Sequence, residues 1–381
     1  MRADVVVVGA GLAGTAVTHF LSEGGLRVVL VDRHYPGQGA TGRSAGFLVS
    51  QHWNEHDAAL ARASRELCAR AHPEGEAGFT PSGFLRVTAR AEDLPVMRDR
   101  ARGIRRAGLR AEYLPGRKLR RRFPWLRTAG LAGGLLTPDD GYLDPYEVAL
   151  GFLEGVRERG AELLVNSPVE ELTIRSSRVA GVVVGEGAVE AETVVLAMGA
   201  WTKPLLQAQG VELPLKGYRV QALVTAPLPG LPALPMLHEI PDGYYLRPEQ
   251  AGLLVGDGTE HEEADPETYD READFAVYAD LAAWLSRRVP AAAAAMVTRG
   301  WAGLCQATPD RLPLVGEVGG IEGLFVLAGF NGLGVMRAPP LARSLAEGLL
   351  GRKPPVDLDP FRPDRFSEVL DFPIREGFTL R

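Results

Sequence analysis

Cysteine and lysine are both scarce in this chain of 381 residues. The two cysteines, Cys68 and Cys305, are too few for the disulfide framework of a small secreted domain, and they favour a reducing compartment. Lysine occurs only four times, and the formal net charge is −6. A general nucleic-acid-binding protein needs a basic face to meet phosphates, so the composition argues against that class.

Long apolar runs are missing as well. No window reaches the ~18 uninterrupted apolar residues that a membrane-spanning helix needs. The N-terminal stretch MRADVVVVGAG has no basic segment ahead of a long apolar run and no small-residue cleavage site, so no signal peptide is expected. We therefore expect a cytoplasmic protein without a transmembrane segment and without a nucleic-acid partner.

The N-terminal 32 residues carry the first motif. DVVVV at 4–8 predicts a strand buried on both faces, and GAGLAG follows it at once, with Gly9, Gly11 and Gly14 in G-x-G-x-x-G spacing. A helical pattern and a second strand, RVVLVD, come next. The glycines allow a tight turn, close approach of the backbone to a pyrophosphate, and close helix–strand packing, while Asp32 stands where a ribose hydroxyl needs an acceptor. A strand–turn–helix without nucleotide is the alternative, but all four parts stand in register, which predicts dinucleotide binding.

The segment after Asp32 indicates which dinucleotide is bound. Residues 33–50, RHYPGQGATGRSAGFLVS, form a long loop rich in glycine and hydroxyl groups, where a nicotinamide dehydrogenase would enter its next helix. Such a loop can hold phosphate and a flat ring through backbone N–H groups. Through ATGRSAG at 40–46 the chain resembles the D-amino-acid-oxidase-like flavoproteins, the group that contains glycine oxidase, sarcosine oxidase, dye-linked proline dehydrogenase and D-arginine dehydrogenase. The resemblance covers nearly the whole chain and implies FAD as the cofactor.

A second glycine turn lies near the other end of the chain. In GLFVLAGFNGLGVMRAPPLARSLAEGLLG at 323–351, a strand meets the turn FNGLGVM, which opens into a helix. The N-terminal dipole of that helix can favour negative charge on a reduced flavin. In the family this turn lies under the flavin ring. A nicotinamide enzyme is the weakest alternative because it leaves this turn without a role.

The resemblance also assigns cofactor contacts elsewhere. It implies that segment 40–46 runs from the pyrophosphate to the isoalloxazine ring, and that the backbone of Val169 contacts adenine. Gly199 and Trp201 would border the cofactor, although Trp201 fits an ordinary core position equally well. The expected cofactor residues are Gly9, Ala10, Gly11, Leu12, Ala13, Gly14, Asp32, Arg33, Thr41, Gly42, Arg43, Ser44, Ala45, Gly46, Phe47, Val169, Gly199, Trp201, Gly303, Gly329, Asn331, Gly332, Leu333, Gly334 and Val335.

The fold class expected is α/β, with a Rossmann-like FAD-binding domain built on a parallel sheet and a smaller substrate domain built on an antiparallel sheet. Residues 216–260 alternate and are rich in β-branched and aromatic side chains, whereas 273–296 reads as a helix and the basic run 117–123 as a solvated helix face. We assign 1–82, 138–214 and 305–381 to a discontinuous FAD domain. The substrate domain takes 83–137 and 215–304.

Cys305 lies in WAGLCQATPD, which in the family passes the substrate side of the flavin. Glycine oxidase and D-arginine dehydrogenase carry a carboxylate-binding arginine at this position. The covalent cysteine of monomeric sarcosine oxidase aligns with Gly303, two places away, so the resemblance implies non-covalent FAD. A protein nucleophile is not needed when the cofactor carries the chemistry, so we interpret Cys305 as a small wall residue.

The two other cationic anchors known in the family align with Ser50 and Met336. An α-amino acid substrate therefore requires a replacement cation, for which Arg337, Arg247, Arg219 and His52 are the candidates; otherwise the substrate is a larger or uncharged amine. Tyr245 aligns with a tyrosine that binds substrate in the family. A purely structural role, in which its ring packs against a neighbouring strand, fits the sequence equally well. The expected substrate contacts are Tyr245, His52, Phe47, Cys305, Arg337 and Arg247.

The resemblance implies hydride transfer from the C–N carbon of an amino acid, imino acid or secondary amine to flavin N5, giving an imine. Leu254 replaces a lysine that activates oxygen in monomeric sarcosine oxidase, which favours a dehydrogenase, although glycine oxidase also lacks that lysine and the choice between oxidase and dehydrogenase stays open. A β-type subunit of a hetero-oligomeric dehydrogenase and a non-catalytic flavoprotein remain alternatives. The expected partners are a small amine or amino acid and an acceptor, either oxygen or a quinone or partner subunit. The sequence leaves open whether the protein forms a homo-oligomer or a hetero-oligomer, and no metal is expected.

Overall fold

The computed structural model describes residues 1–51, 55–258, 261–263, 265–366 and 371–374. Within them the structure has the following strands: β1 Val5–Val8, β2 Val28–Val31, β3 Phe47–Leu48, β4 Phe84–Thr88, β5 Glu112–Pro115, β6 Gly133–Thr137, β7 Gly141–Tyr142, β8 Glu162–Leu164, β9 Val169–Arg175, β10 Arg178–Val184, β11 Gly187–Glu190, β12 Val194–Leu196, β13 Lys216–Thr225, β14 Met236–Ile240, β15 Tyr245–Glu249, β16 Gly252–Gly256, β17 His261–Glu262, β18 Val297–Ala307, β19 Leu314–Glu317 and β20 Leu324–Ala328.

The α-helices within the described residues are separated by short 3₁₀ turns. They are α1 Leu12–Glu23, α2 Glu55–Ala71, α3 Leu94–Arg106, α4 Gly116–Arg122, α5 Pro145–Phe152, α6 Thr202–Gln207, α7 Phe275–Arg288 and α8 Gly334–Leu349. The predicted N-cap of α5 is confirmed, because the Asp144 side chain accepts a hydrogen bond from the backbone N–H of Tyr146 ahead of Pro145 at the first helical position.

A six-stranded sheet forms the first half of the molecule, in the order β19-β20-β12-β1-β2-β8. All neighbours are parallel except β19, which runs antiparallel to β20 at the edge. Every residue of β1 and β2 is buried, as the run DVVVV predicts for a strand covered on both faces. Helices α1, α5 and α8 cover one face, and the antiparallel sheet β11-β10-β9 covers the other.

A nine-stranded sheet forms the second half, in the order β17-β13-β16-β15-β14-β4-β6-β5, with β18 paired along β13. The antiparallel arrangement predicted over 216–260 is confirmed for β13, β15 and β16. The sheet is nevertheless mixed, because β14 pairs in parallel with β4. Strand β4 comes from a distant part of the chain, so no hairpin turn dictates the direction of that pair.

The helix predicted over 273–296 is shorter than expected. Helix α7 ends at Arg288, and a 3₁₀ turn begins at Pro290. A residue that precedes proline is disfavoured in the α region, which stops the helix at Val289. The basic run 117–123 lies mostly in α4 with its charged side chains exposed, as predicted for a solvated face.

Both sheets draw on separated parts of the chain. Strands of the parallel sheet lie within 1–82, 138–214 and 305–381, and most strands of the larger sheet lie within 83–137 and 215–304. Strand β18 crosses the expected boundary at 304/305, so the division into two domains stays a prediction. None of the helices in the described residues is long and apolar enough to cross a membrane.

Asp140 ties the two halves together where β6 turns into β7. Its buried carboxylate accepts hydrogen bonds from the backbone N–H of Ser50, at 2.9 Å, and from the Thr137 hydroxyl. Burial raises the pKa of this carboxyl to about 6 in spite of those two hydrogen bonds. An aspartate in an unfolded chain has a pKa of about 3.9, so the folded state holds the extra proton between these values.

Replacing this carboxyl should therefore change the pH dependence of stability. Because the pKa is raised in the folded state, the contribution of Asp140 is most favourable below pH 4 and is lost as the pH rises through 6. Relative to Asp140→Asn, the wild type should lose about 2–3 kcal/mol of unfolding free energy between pH 4 and pH 7. Urea unfolding at pH 4, 5, 6 and 7 measures this difference.

The adjacent Asp139 supplies a matched control. It is half-buried, and its pKa is lowered by the hydrogen bonds from Arg110. Asp139→Asn should thus lose stability relative to the wild type as the pH rises, which is the opposite sign. Parallel pH profiles for the wild type and Asp140→Asn would show that the buried carboxyl does not titrate as described.

Candidate functional site

The turn after β1 is built on close backbone contacts. Gly9 has φ +101°, a conformation that L side chains rarely adopt. A Cβ on Gly14 would lie 1.7 Å from the Gly9 carbonyl oxygen, so only glycine lets α1 approach the strand this closely. Gly11 is the N-cap of α1 and offers backbone alone. The positive end of the α1 dipole therefore faces the space beyond the turn without a side chain in between.

Asp32 closes this turn from the end of β2. Its carboxylate accepts hydrogen bonds from the backbone N–H groups of Ala10, at 2.6 Å, and His34, at 2.7 Å. Burial raises the pKa of Asp32, and these hydrogen bonds oppose the rise. The side chain that was predicted to meet a ribose hydroxyl thus also fixes the glycine turn.

The second glycine turn follows β20. Gly329 and Gly332 have φ values of +71° and +75°, and Asn331 between them has +54°. The buried Asn331 amide accepts from the Thr308 N–H at 3.0 Å and donates to the Gly329 carbonyl at 2.6 Å. Its side chain therefore braces the turn, and the backbone of the turn faces outward ahead of α8.

Both turns open into one cavity of about 510 Å³. Strands β1, β12 and β20 are parallel neighbours, so the loops after them meet at the same edge of the sheet. The expected cofactor residues that line the cavity are Gly9, Gly11, Leu12, Ala13, Asp32, Arg33, Thr41, Arg43, Ser44, Ala45, Gly46, Phe47, Val169, Gly199, Trp201, Gly303, Gly329, Asn331, Gly332, Leu333, Gly334 and Val335.

Three expected cofactor residues do not line the cavity. Ala10 donates its N–H to Asp32, Gly14 packs on Gly9, and Gly42 donates its N–H to the Gly37 carbonyl at 2.8 Å. Ala10 and Gly14 support the first glycine turn, and Gly42 supports the loop that follows Asp32. The sequence pattern identified the right loops, but it could not separate residues that face the ligand from residues that support the turn.

The cavity fits an extended dinucleotide with a flat ring system. Its wall includes the glycine-floored N-terminus of α1, the acidic acceptor Asp32 and a second helix N-terminus, that of α8. Its volume lies within the range of cofactor sites, roughly 300–1,000 Å³. In the described residues there is no group of three or more His, Cys, Asp or Glu side chains that could hold a metal ion.

Comparison with known proteins agrees with this geometry. Residues 4–348 match the family described as DAO, FAD dependent oxidoreductase. The chain belongs to this family. FAD is therefore its cofactor, and the resemblance noted from the two glycine turns is confirmed.

Three similar proteins place the chain within the family. It is 29% identical over 376 residues to 4-methylaminobutanoate oxidase (formaldehyde-forming) of Paenarthrobacter nicotinovorans, covering 95% of this chain and 45% of that protein. L-proline dehydrogenase from P. horikoshii superposes with a TM-score of 0.86 at 25% identity, over 96% of this chain and 98% of the other. Glycine oxidase from Geobacillus kaustophilus gives 0.84 at 25% identity, over 96% and 100%. The chain spans less than half the length of its first curated relative.

The expected substrate contacts divide into two groups. Tyr245, Phe47 and Cys305 line the cavity, and the Tyr245 and Phe47 rings meet edge to face at 5.4 Å. The Tyr245 ring lies over Gly256 of the next strand, where a Cβ would approach its hydroxyl to 2.3 Å. Tyr244 points to the opposite face and packs on Trp284, as strand alternation predicts. His52 falls outside the described residues.

Three of the four predicted replacement cations, the arginines, do not line the cavity. Buried Arg337 forms an ion pair with Asp57 at 2.7 Å and donates to the Arg311 carbonyl. Arg247 donates to the Ala45 carbonyl at 2.7 Å and pairs with Glu249. The guanidinium of Arg219 bonds to the Asp274 carboxylate at 2.7 Å and to neighbouring carbonyls. The prediction that one of these three supplies the carboxylate anchor finds no geometric support, because each is engaged in the scaffold.

The sequence reasoning missed His238, which lines the cavity beside Tyr245. It stands in MLHEI, where strand alternation sends His238 and Glu239 to opposite faces. A histidine inside a short apolar strand is the signal that could have drawn attention to it. Glu267 was also missed. It accepts hydrogen bonds from the Trp201 indole at 2.9 Å and from Arg33 at 2.5 Å at the Asp32 end of the cavity.

Removing one member of the Arg337–Asp57 pair should destabilise the fold, since it leaves a buried charge without its counter-ion. We expect Arg337→Met to lower the free energy of unfolding by about 3–5 kcal/mol. The double variant Arg337→Met with Asp57→Leu should recover most of the loss. Urea unfolding of the single and double variants measures both values, and a strictly additive double variant would contradict the pairing.

The role of the first glycine turn in phosphate binding can be tested by adding a side chain at Gly11. A Cβ on Gly11 meets only the Thr41 hydroxyl, at 3.3 Å, so Gly11→Asp should fold but place bulk and negative charge where a phosphate must lie. Like charges in contact cost on the order of several kcal/mol, so the variant should purify without flavin. Visible absorbance per protein chain measures this. Gly103→Asp, on an exposed helix surface, is the control and should stay yellow, whereas a yellow Gly11→Asp would rule out this phosphate site.

Proposed function

We propose that the chain oxidises the C–N bond of an N-alkylated or primary amino acid, as a dehydrogenase. The observation that carries this proposal is the single cavity in which both FAD turns meet a wall formed by Tyr245, His238 and Phe47. The similar proteins named above act, by their names, on 4-methylaminobutanoate, L-proline and glycine, which are all amines with a carboxylate. When bound, FAD would supply the oxidising power by taking one hydride, which carries both electrons, from the carbon next to nitrogen.

The protein's own contribution is orientation. Tyr245 is held over Gly256 and against Phe47, so its hydroxyl has a fixed position in the cavity wall. A fixed hydroxyl can hydrogen-bond one end of the substrate and direct its C–H bond, which reduces the entropy lost on the way to reaction. Apolar wall residues such as Val220 and Met336 exclude bulk water.

No side chain is required as a nucleophile. The substrate must enter with a neutral amine, because a protonated nitrogen has no lone pair to form the C=N bond as the C–H bond breaks. His238 is held neutral, since burial first and the nearby Arg86 second place the pKa of its ring well below the usual value. The imine that forms is then hydrolysed by water to a carbonyl compound and an amine.

The assignment as a dehydrogenase rests on Leu254. It is buried in β16, and by the family resemblance it takes the place of the oxygen-activating lysine of monomeric sarcosine oxidase. Without a cation there, reduction of oxygen gains no local charge stabilisation. An electron acceptor other than oxygen, such as a quinone or a partner chain, is therefore part of the proposal, as is non-covalent attachment of FAD.

The decisive experiment is anaerobic mixing of the purified protein with sarcosine, dimethylglycine, 4-methylaminobutanoate, proline, glycine and D-amino acids. Bleaching of the visible flavin band by at least one of them is the expected result. Tyr245→Phe should slow the reaction with that substrate about tenfold, the value of one lost hydrogen bond. If none of these compounds changes the flavin band, the proposal of amine oxidation is wrong. If peroxide forms faster than a dye is reduced, oxygen is the acceptor and the assignment as a dehydrogenase is wrong.

A further inference from the structure

A row of paired residues crosses the nine-stranded sheet and leads into the cavity. Arg86 on β4 pairs with His238 on β14, and His238 pairs with Tyr245 on β15. Residues directly opposite each other on neighbouring strands point to the same face. His238 and Tyr245 line the cavity, and Arg86 stands behind His238 as seen from the ligand space.

Arg86 is held firmly in this row. It is completely buried, and its Nε donates a hydrogen bond to Nδ1 of His238 at 3.3 Å. Its Nη1 donates to the Gln51 carbonyl at 3.3 Å. Gln51 is fixed in turn, since its amide donates to the carbonyls of Phe84, at 3.1 Å, and Leu135, at 3.0 Å. The guanidinium therefore cannot swing away without breaking contacts of several strands.

This contact fixes the tautomer of His238. Arginine has only donors, so Nδ1 of the ring must be the acceptor, and the proton of the neutral ring lies on Nε2. The ring consequently offers an N–H donor, and a positive charge stands directly behind that donor. Such an arrangement matches an anionic acceptor, for which charge-assisted hydrogen bonds are the strongest.

The charges in the cavity wall are consistent with an anion bound beside His238. The acidic residues that line it are Asp32, Glu170 and Glu267, all of which lie towards the Asp32 end. Asp32 binds the first glycine turn, Glu170 follows Val169, and Glu267 bonds to Arg33. None of the described lining residues beside His238 carries a carboxylate that would repel an anion.

We propose that Arg86 and His238 form the substrate carboxylate anchor, in which His238 donates its Nε2–H to the carboxylate and Arg86 orients the ring and supplies the charge. The proposal rests on the proposed function and narrows the substrate to amines that carry a carboxylate. It assigns the recognition to residues 86 and 238 in place of Arg337, Arg247 or Arg219. His238 contacts the substrate, and Arg86 is a positioning residue that acts through it.

Binding of two dead-end ligands tests the anchor without turnover. Trimethylglycine and choline share a quaternary nitrogen, which cannot form a C=N bond by loss of hydride, but only the former has a carboxylate. Titration of the oxidised flavin spectrum of the holoenzyme should give a Kd for trimethylglycine about tenfold or more below that for choline. Arg86→Met should weaken trimethylglycine about 10–100-fold, the range for a hydrogen bond to a charged group, and choline less than about threefold.

Conservative variants separate charge from shape. Arg86→Lys keeps the charge and should retain part of the preference for trimethylglycine. His238→Gln keeps an N–H donor and should bind better than His238→Leu. Equal weakening of both ligands by Arg86→Met, or no change in either, would overturn the anchor. If Arg86→Met does not fold, the Lys variant and the two His238 variants decide the question by the same Kd ratio.

A spectroscopic reading checks the tautomer directly. Nitrogen NMR of protein labelled at histidine, with His238 assigned through His238→Gln, should show the proton on Nε2 in the wild type. Arg86→Met should shift the ring towards a mixture of tautomers. A wild-type ring with its proton on Nδ1, or a charged ring, would contradict the hydrogen bond from Arg86.

Arg288→Met is the matched control. Arg288 is a buried arginine on the other face of the same sheet, paired there with Glu239 of β14. Its loss should lower thermal stability yet leave the Kd ratio within about threefold of the wild type, and an equal change in the ratio would count against the anchor. If no amine bleaches the flavin but trimethylglycine still binds through Arg86, the proposed function fails and the anchor stands. If an amine bleaches the flavin but trimethylglycine binds independently of Arg86, the proposed function stands and only the anchor fails.

Discussion

The parallel pairing of β1, β12 and β20 is the constraint on which the site depends. Parallel neighbours end at the same edge of a sheet, so the loops that follow these three strands are brought together although they are separated by about 190 and 130 residues of chain. Two of those loops lead into helix N-termini, at α1 and α8. An anionic, flat cofactor then has polar backbone at both ends without any charged side chain having to reach it.

The second sheet completes the cavity by alternation. On β14, His238 faces the cavity while Glu239 faces away, where it accepts hydrogen bonds from the Trp284 indole, at 2.7 Å, and from Arg288. One strand therefore contributes to ligand recognition and to a buried structural network at adjacent positions. Any slip of one residue in the register of β14 and β4 would exchange these roles and bury His238 in the apolar cluster with Trp284.

The sequence revealed those parts of the site that are local. G-x-G-x-x-G with its strand, helix and Asp32 forms within some thirty residues, so each glycine could be given a role from the chain alone. The turn at 329–335 was identified in the same way. Tyr245 came from its position in an aligned motif, and Tyr244 could be assigned to the other face because strand alternation has a fixed period.

Residues whose role depends on a distant partner were not assignable. Arg337 follows a cavity residue directly, yet its charge pairs with Asp57, which lies 280 positions away. Arg247 turns to the Ala45 carbonyl across 202 positions. Conversely, Arg86 is unremarkable in SGFLRVTA, and its relation to His238 arises only from the parallel β4–β14 pair, which no turn in the sequence encodes. The buried arginines of this protein thus look alike in the sequence. Tertiary pairing brings a carboxylate into ion-pair contact with Arg337 and with Arg288, whereas the Nε of Arg86 donates to a histidine ring at the cavity wall. An arginine in contact with a carboxylate has its charge balanced inside the scaffold, whereas an arginine that donates to a neutral ring polarises that ring, which is the effect that the proposed anchor uses.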